Sequence, residues 1–483
     1  MYKHGAFAEL LATKDFVPPQ GVATLPVYIG TAPVNQLSDY SGAVNKPLLI
    51  QSYQDGVNKI GYNEDWDTYT LCEALYAHFQ NNIQAIGPIA VINVLDPAVH
   101  KKAGTATVAI TNGVGYIENK NVILNSIVPV TVGVVLGTDF TVAYSTDGSK
   151  VVVTALTATV GASLDLSFNE IDMTNVTKTT IIGGTDANGV KTGVEVIDLI
   201  YQTYNMIPTI FAAPGWSDIE DVDTALKSKS QNFNGHWFAW VNSDIDCSDT
   251  GATTITAAKT AKTTSGYIGA MEGPCWPMAY KSARKFHIST LATVTMQRVD
   301  FENDNVPYET PSNKAVDVNG LCLADGTTIE YDQIQANDLN SKGIRTLTYW
   351  GGKWILWGSH TGDYEYGKDM DKRNVFDSNI RMLYYIANTF QSRYGTLVDK
   401  PMSRAQKDTI LNDFQEWFDN LSAQGKILYG TIAFTEISNP VSDVVEGDFD
   451  FNIETTTTPP GKSLTAKIAW TTQGIDVLFG GEE

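Results

Sequence analysis

The end of this chain, from Ser463 to Phe479, has a hydrophobic period of two residues. Apolar residues occupy alternate positions, namely Leu464, Ala466, Ile468 and Trp470, followed by Ile475, Val477 and Phe479. Strict alternation predicts a β-strand with one apolar and one polar face. A lone terminal strand carries unpaired N–H and C=O groups and is marginally stable in water. It must therefore dock on its own domain or add to a sheet edge of another copy of the chain.

Length and charge restrict the class of protein. The chain has 483 residues, a length compatible with several domains, and a net charge of −21 at pH 7. Because phosphate binding requires a basic surface, we expect no nucleic-acid partner. No apolar run approaches the ~18 residues that span a bilayer. The N-terminal sequence lacks the basic-then-apolar layout of a signal peptide. We therefore expect synthesis in a cytoplasm and no membrane insertion.

Changes of composition divide this α/β chain into six segments. Pro18 and Pro19 discourage helix and end a first segment that we interpret as a second arm. The predicted segments are an N-terminal arm (1–20), an α/β part (21–98), an inserted β-sandwich (99–178), a middle α/β domain (179–342), a C-terminal α/β domain (343–454) and a C-terminal arm (455–483).

The segment 99–178 is rich in Val, Thr, Ile and Gly and contains few helix formers. Phe140–Tyr144 and Val151–Ala155 flank a turn that contains Asp147-Gly148, and Asp-Gly between alternating runs is a strong hairpin signal. Because an α/β pattern resumes after this segment, we predict a β-sandwich inserted into an α/β chain.

Two amphipathic helices are predicted near the C-terminus, over residues 371–393 and 403–424. In the second helix, Ile410, Phe414, Trp417 and Leu421 form a stripe at spacings of three and four. Ser403 is a favourable N-cap, and Gly425 is a favourable stop.

A nucleotide site is the first chemical possibility that we considered. The run from Thr179 to Thr192 resembles a P-loop between a strand and a helix, but Val190 separates Gly189 from Lys191. A P-loop needs its lysine directly after the last glycine. The sequence therefore favours a turn before a helix.

Other catalytic and metal-binding patterns are absent from the sequence. Ser359 is one position away from its place in a GxSxG motif, and the six histidines form no HExxH pattern. The four cysteines form no CxxC pair and are expected to be free thiols: Cys72, Cys247, Cys275 and Cys322. We predict no catalytic residues, no cofactor, no metal site and no enzymatic activity.

Taken over nearly its full length, the chain resembles the contractile tail sheath proteins of phages and phage-like injection particles. The resemblance is carried by segments in a shared order: Tyr2-Lys3-His4-Gly5, Gly183-Gly184-Thr185-Asp186, Ala213-Pro214-Gly215, Trp357-Gly358-Ser359-His360-Thr361, Lys372-Arg373-Asn374-Val375-Phe376 with Arg381, and the alternating C-terminal arm. The chain departs from the family pattern at His360, where the family usually has Arg.

The resemblance implies a structural subunit that polymerises around a tail tube and contracts to drive the tube through a bacterial envelope. Residues 21–98 and 343–454 would form the inner layer, and the middle domains would face outward. Both arms would exchange strands with neighbouring subunits. The implied interface residues are Tyr2 and Phe7 in the N-terminal arm and Leu464, Ala466, Ile468, Trp470, Ile475, Val477 and Phe479 in the C-terminal arm.

The resemblance also implies partners and a location. The partners would be other copies of the chain, the tail tube protein, and baseplate and tail terminator proteins. The protein would reside in a virion tail or phage-like particle after assembly in the host cytoplasm. In related sheaths an inward-facing C-terminal helix attaches each subunit to the tube. Lys400, Arg404 and Lys407 are therefore candidates for the tube contact.

Two other classes of function stay open at this stage. A passive self-assembling surface protein or adhesin would also carry an exchangeable strand, and the missing secretion signal argues against it. An NTPase is the second alternative, and the interrupted P-loop argues against it.

Overall fold

A computed structural model of the chain describes residues 23–472, 474, 475 and 478. Its strands are β1 (Pro26–Gly30), β2 (Pro47–Ile50), β3 (Ile89–Asn93), β4 (Lys101–Ala109), β5 (Val114–Ile117), β6 (Val128–Pro129), β7 (Phe140–Tyr144), β8 (Val151–Ala155), β9 (Ser163–Ile171), β10 (Gly183–Thr185), β11 (Lys191–Gly193), β12 (Ile210–Ala212), β13 (Trp240–Asp244), β14 (Glu272–Cys275), β15 (Met278–Lys281), β16 (Arg284–His287), β17 (Gly320–Cys322), β18 (Thr328–Ile329), β19 (Thr346–Trp350), β20 (Lys353–Trp357), β21 (Ile427–Ala433) and β22 (Asn452–Thr457).

The α-helices are α1 (Tyr53–Ile60), α2 (Leu71–Phe79), α3 (Lys178–Ile182), α4 (Leu199–Tyr204), α5 (Glu220–Ser230), α6 (Ile255–Thr264), α7 (Ile288–Glu302), α8 (Gln333–Asn340), α9 (Asp377–Tyr394), α10 (Arg404–Ala423) and α11 (Val441–Glu446). Short 3-10 helices lie at Val34–Gln36, Leu124–Ser126, Ala158–Val160, Met173–Asn175, Val194–Asp198, Lys372–Asn374 and Gly395–Leu397. This mixture confirms the predicted multidomain α/β class.

A six-stranded sheet forms the centre of the α/β body, in the order β14-β13-β12-β1-β3-β2. Its neighbours pair in parallel except for β2, which runs antiparallel to β3. Every residue of β1, β3, β12 and β13 is buried, as expected for a parallel sheet covered on both faces. Helices α2, α5 and α7 pack against it.

The sheet corrects one predicted boundary. Strands β1, β2 and β3 come from residues 21–98, whereas β12, β13 and β14 come from residues 179–342. These two ranges therefore share one sheet and one apolar core instead of forming separate domains. Pairing between β1 and β12 joins strands from both sides of the intervening segment. Composition along the chain does not reveal such a long-range pairing.

Residues 101–171 form two three-stranded antiparallel sheets, β4-β9-β6 and β5-β8-β7. They enclose an apolar cluster of their own, which includes Phe140, Val151 and Leu166. The hairpin β7–β8 has the bounds predicted from Asp147-Gly148. The unit is also docked on the body, because Ile123 and Ile171 belong to the main core.

Two smaller predictions differ from the structure. The residues before Gly183 form helix α3 and not a strand, since Thr177 and Thr180 make a capping box. Gly183–Thr185 then pairs antiparallel with Lys191–Gly193. Strand β22 continues to Thr457, across the predicted 454/455 boundary, so the C-terminal arm begins after that residue.

Candidate assembly interface

Helix α10 supports a small two-stranded sheet near the end of the chain. The Ser403 hydroxyl accepts a hydrogen bond from the Gln406 N–H at 3.2 Å and caps the helix, as the sequence predicts. Its buried residues are Ile410, Phe414, Phe418 and Leu421. Trp417, which belongs to the apolar stripe predicted for this helix, is half-buried. Gly425 follows the helix with φ +73°, a conformation that favours glycine.

Strands β21 and β22 pair antiparallel with a register shift between Ile427 and Tyr429. Gly430 allows the sheet to approach α10 closely, because a Cβ at this position would lie 2.5 Å from Cδ1 of Phe418. Within the described chain, neither strand pairs with a third strand. Leu428 and Tyr429 are each more than half exposed. The sheet therefore has no third strand among the described residues and presents apolar side chains to solvent.

The segment after β22 is the predicted C-terminal strand. Residues 463–470 form no strand in the described chain, so this part of the predicted strand adds to no sheet of its own subunit. Leu464, Ile468 and Trp470 are 91%, 94% and 82% exposed. Ala466 and Ile475 are also exposed. Of the two outcomes open to a lone strand, docking on its own domain is not observed for these residues.

Val477 and Phe479 lie outside the described residues, as do Tyr2 and Phe7 of the N-terminal arm. The base of the C-terminal arm is anchored, since Thr458 Oγ1 donates to the Gly425 carbonyl at 2.8 Å and Lys462 Nζ lies 3.4 Å from the Tyr364 hydroxyl.

Further apolar surface lies on the connection between β21 and β22. Ile437, Val441 and Val445 are all at least three-quarters exposed, the last two on helix α11. Large apolar side chains that remain in water mark contact surfaces when they occur together. These three residues lie in the connection between the two strands of the small sheet and present further apolar surface to solvent.

The basic residues predicted to face a tube lie at the start of α10 and just before it. Lys400 and Arg404 are exposed, and Lys407 is half-buried. The sequence analysis missed Asp408, which lies 2.8 Å from Lys407 Nζ and 3.7 Å from Arg404 Nε. The hydrogen bond from Lys407 lowers the pKa of Asp408. The cluster is therefore mixed in charge and not purely basic.

A second residue missed by sequence reasoning is Gln415 on α10. Its side-chain amide donates to the Gly430 carbonyl at 3.1 Å and accepts from the Ile432 N–H at 3.3 Å. No periodicity in the sequence marks a polar residue that bonds to a strand of its own domain. Arg381 on α9 forms a buried ion pair with Asp300 on α7. No periodicity in the sequence marks this pair either.

The described residues provide little for chemistry. The P-loop-like segment is a helix followed by a two-stranded hairpin, and it lacks the strand–loop–helix order of a phosphate cradle. Burial raises the pKa of Cys72 and Cys247 to about 12, which disfavours a reactive thiolate. Among the described residues, no group of three or more His, Cys, Asp or Glu side chains is placed to hold a metal ion.

None of the helices in the described part of the chain combines the length and apolar character that crossing a bilayer requires.

Comparisons with known proteins identify relatives of the whole chain. No family model matches the sequence. The tail sheath protein of Burkholderia phage BcepMu is 25% identical over 482 residues, which cover 94% of this chain and 93% of the relative. The tail sheath protein of Escherichia phage P2 is 25% identical over 60% of this chain and 70% of its own length.

Solved structures share the fold at low sequence identity. The sheath complex of an extracellular contractile injection system, PVC, in its contracted state matches with a TM-score of 0.57 and 11% identity, over 98% of this chain and 99% of that chain. A chain of the anti-feeding prophage baseplate matches with a TM-score of 0.56 and 13% identity, over 97% and 100%. The chain therefore shares the fold of solved contractile sheath proteins, and its similarity to curated tail sheath proteins supports its assignment as a structural subunit of a contractile tail sheath.

Proposed function

We propose that this subunit polymerises around a tail tube by exchanging its C-terminal arm with other copies, and that the resulting sheath contracts to drive the tube through a bacterial envelope. The observation that carries the proposal is the arm itself. Its alternating residues Leu464, Ile468 and Trp470 are exposed and unpaired in a subunit whose other apolar residues form extensive cores. Burying them on another subunit gains about 25 cal/mol per Å² of apolar surface.

The two-stranded sheet β21–β22 is the receiving site that fits this arm best. It is small, it is backed on one face by α10, and its strands have no third partner among the described residues. Two-stranded sheets gain stability when further strands are added. An arm that leaves one subunit and pairs with the sheet of the next makes a heterologous contact, and such contacts propagate into open helical arrays.

Contraction follows from keeping these pairings while the bodies move. Main-chain hydrogen bonds in exchanged strands persist as rigid domains rotate about short connections. The connection available here begins after Thr457, at residues 458–462, next to the anchor of Thr458 on Gly425. The extended sheath would store free energy as a metastable state that a trigger at the baseplate releases.

The other parts of the molecule take complementary roles in this proposal. The unit at 101–171 is an outward-facing β-sandwich, and the N-terminal arm with Tyr2 and Phe7 supplies a second exchanged strand. Partners are the tail tube, baseplate and tail terminator proteins, and the particle assembles in the host cytoplasm. The sheath performs no catalysis, because its work comes from stored conformational free energy.

The proposal is tested with purified full-length chain and a variant that lacks residues 463–483. We expect the full chain to form striated tubes by negative-stain microscopy and the truncated chain to remain a folded monomer. Circular dichroism and sedimentation check folding and size. Long tubes formed by the truncated chain would refute arm exchange.

A pair of proline variants sharpens the test. In an edge strand only alternate N–H groups face the partner, and proline removes one N–H. Ile468→Pro and Ala469→Pro differ by one position, so one should abolish assembly and the other should largely retain it. Equal, unimpaired assembly of both variants would show that residues 468 and 469 do not pair as a strand.

A further inference from the structure

The outer edge of β21 is already occupied by a side chain of its own subunit. The Gln415 amide nitrogen donates to the Gly430 carbonyl at 3.1 Å, and its oxygen accepts from the Ile432 N–H at 3.3 Å. One primary amide thus satisfies a carbonyl and an N–H that lie two residues apart on the strand. A peptide backbone added to this edge would use the same two groups.

These two groups face away from β22. Each backbone N–H donates one principal hydrogen bond, so the Ile432 N–H that reaches Gln415 is not part of the ladder with β22. Peptide groups of residues i and i+2 point to the same side of an antiparallel strand. Gly430 and Ile432 therefore belong to the free edge of β21.

The Gln415 side chain is held in this position. Its nitrogen also donates to Asp419 Oδ1 at 3.0 Å, so both N–H groups and the oxygen of the amide have partners. The neighbouring residues Phe414 and Phe418 are fully buried and fix the helix against the sheet. Gln415 itself is half-buried at the boundary between helix and strand edge.

We propose that Gln415 is an internal substitute for the incoming strand, which it excludes from the β21 edge in the free subunit until the arm of a second copy displaces it. This inference rests on the proposed exchange of arms and names how that exchange is regulated. An open edge invites pairing with any extended chain, and proteins block such edges when pairing must be controlled. Displacing the amide breaks two hydrogen bonds of the free subunit before the arm can form its own, so Gln415 raises the concentration at which tubes form.

The decisive variant is Gln415→Ala, which removes the amide and keeps helix propensity. The matched control is Gln406→Ala on the same helix, because no side-chain hydrogen bond of Gln406 occurs among the described residues. Assembly of the full chain is followed by light scattering. We expect the critical concentration for tube assembly to be about tenfold lower for Gln415→Ala than for the original chain. This change corresponds to one to two hydrogen bonds that no longer have to be broken before the arm pairs. The control should match the original chain.

Hydrogen exchange locates the strand that replaces Gln415. In free Gln415→Ala the Ile432 N–H should exchange faster than in the original subunit. In assembled tubes of the same variant it should become protected again, because an incoming strand takes the vacant position. Exchange that remains fast in those tubes would show that the arm does not pair at this edge, and the inference would fail.

The outcomes separate this inference from the proposed function. If the original chain assembles, the truncated chain does not, and Gln415→Ala assembles with unchanged or slower kinetics, arm exchange stands and the role of Gln415 is wrong. If the truncated chain assembles like the original, arm exchange itself is wrong and the inference falls with it. A lower thermal midpoint of monomeric Gln415→Ala, without faster assembly, would assign Gln415 to stability alone and overturn the proposal.

Discussion

Arg345 and Asp377 form an ion pair of 2.6 Å in which neither side chain is exposed to solvent. The same guanidinium donates to Asn242 Oδ1 at 3.0 Å and to the Gly358 carbonyl at 3.1 Å. Asn242 belongs to β13, and Asp377 begins α9. One buried side chain therefore connects the central sheet to the helix that leads into the C-terminal domain. Such a connection fixes the start of α9 against the central sheet.

Removal of this guanidinium should strongly destabilise the subunit. Arg345→Met leaves Asp377 buried without its partner, and we expect a loss of about 3–5 kcal/mol in the free energy of unfolding. Urea denaturation measures it. The double variant Arg345→Met with Asp377→Leu should recover much of the loss, because no charge then remains buried. Arg373→Met, at an exposed pair with Asp371, is the control and should change little. A loss in Arg345→Met as small as in the control would contradict this prediction.

A second buried pair makes stability depend on pH. His287 Nδ1 lies 2.7 Å from Glu73 Oε2. Burial alone lowers the pKa of His287, but the charge and hydrogen bond of Glu73, with Asp244 and Asp218, outweigh burial and raise the pKa to about 9. In the unfolded chain the pKa of His287 is about 6.5. The stabilisation of the fold by the His287–Glu73 ion pair is therefore complete below pH ~6.5 and is lost as the pH rises through about 9.

Urea denaturation at pH 6.5 and pH 9.5 should show this dependence. We expect His287→Gln to lose about 2–3 kcal/mol relative to the original chain at pH 6.5, and much less at pH 9.5. Burial lowers the pKa of Lys262 to about 8, so the deprotonation of Lys262 raises the stability of the fold as the pH rises, opposite to the effect of His287. Lys262 is present in both proteins, so their difference isolates His287. A difference that is the same at both pH values would exclude the ion pair as its source.

Local signals were enough to predict several elements from the sequence. Helix α10 was predicted within one residue at each end, because Ser403 and Gly425 mark its limits and its apolar stripe has a helical period. The hairpin β7–β8 was predicted from Asp147-Gly148 between alternating runs. By contrast, Thr179–Ile182 is short and rich in β-branched residues, so its pattern does not separate strand from helix. The capping box that Thr177 forms with Thr180 stabilises the helix here.

Long-range relationships were not predictable in this way. The pairing of β1 with β12 joins Val27 to Phe211, and the ion pair of Arg381 with Asp300 joins two helices. Neither contact leaves a periodic trace in a single sequence. At the candidate interface the strand of the arm stays a prediction from alternation, whereas Gln415 and Asp408 act through side-chain contacts that only the folded chain brings together.

The contact between the 101–171 unit and the body gives a third prediction. Asn35 is fully buried, and its Nδ2 lies 3.1 Å from the Val122 carbonyl and 3.0 Å from the Tyr144 hydroxyl. Asn35→Ala removes the amide donor to both groups and leaves the Val122 carbonyl only the hydrogen bond from the Tyr144 hydroxyl, so we expect a loss of about 1–3 kcal/mol in stability. Thermal unfolding compares it with Asn188→Ala in an exposed turn. Equal stability of the two variants would show that the unit docks without this hydrogen-bonded contact.

The mixed cluster at the start of α10 gives the last prediction. If Arg404 and Lys407 contact an acidic tube surface, Asp408 weakens that contact, because it pairs with both of them on the same helix. Asp408→Asn should then strengthen sheath–tube co-assembly, and Arg404→Glu with Lys407→Glu should weaken it. Both effects should shrink at high salt, since exposed charges are screened beyond a Debye length of about 10 Å at 0.1 M.

The measurement is co-sedimentation of the sheath subunit with preformed tubes across a salt series. Lys353→Glu, at the exposed first residue of β20, controls for the change in net charge. Single exposed ion pairs contribute only about 0–1 kcal/mol, so the effect depends on summation over many subunits along the tube. Such weak, additive bonds suit a sheath that holds its register on the tube before contraction and releases it afterwards. Co-assembly that is identical for all three charge variants at every salt concentration would exclude this cluster as the tube contact.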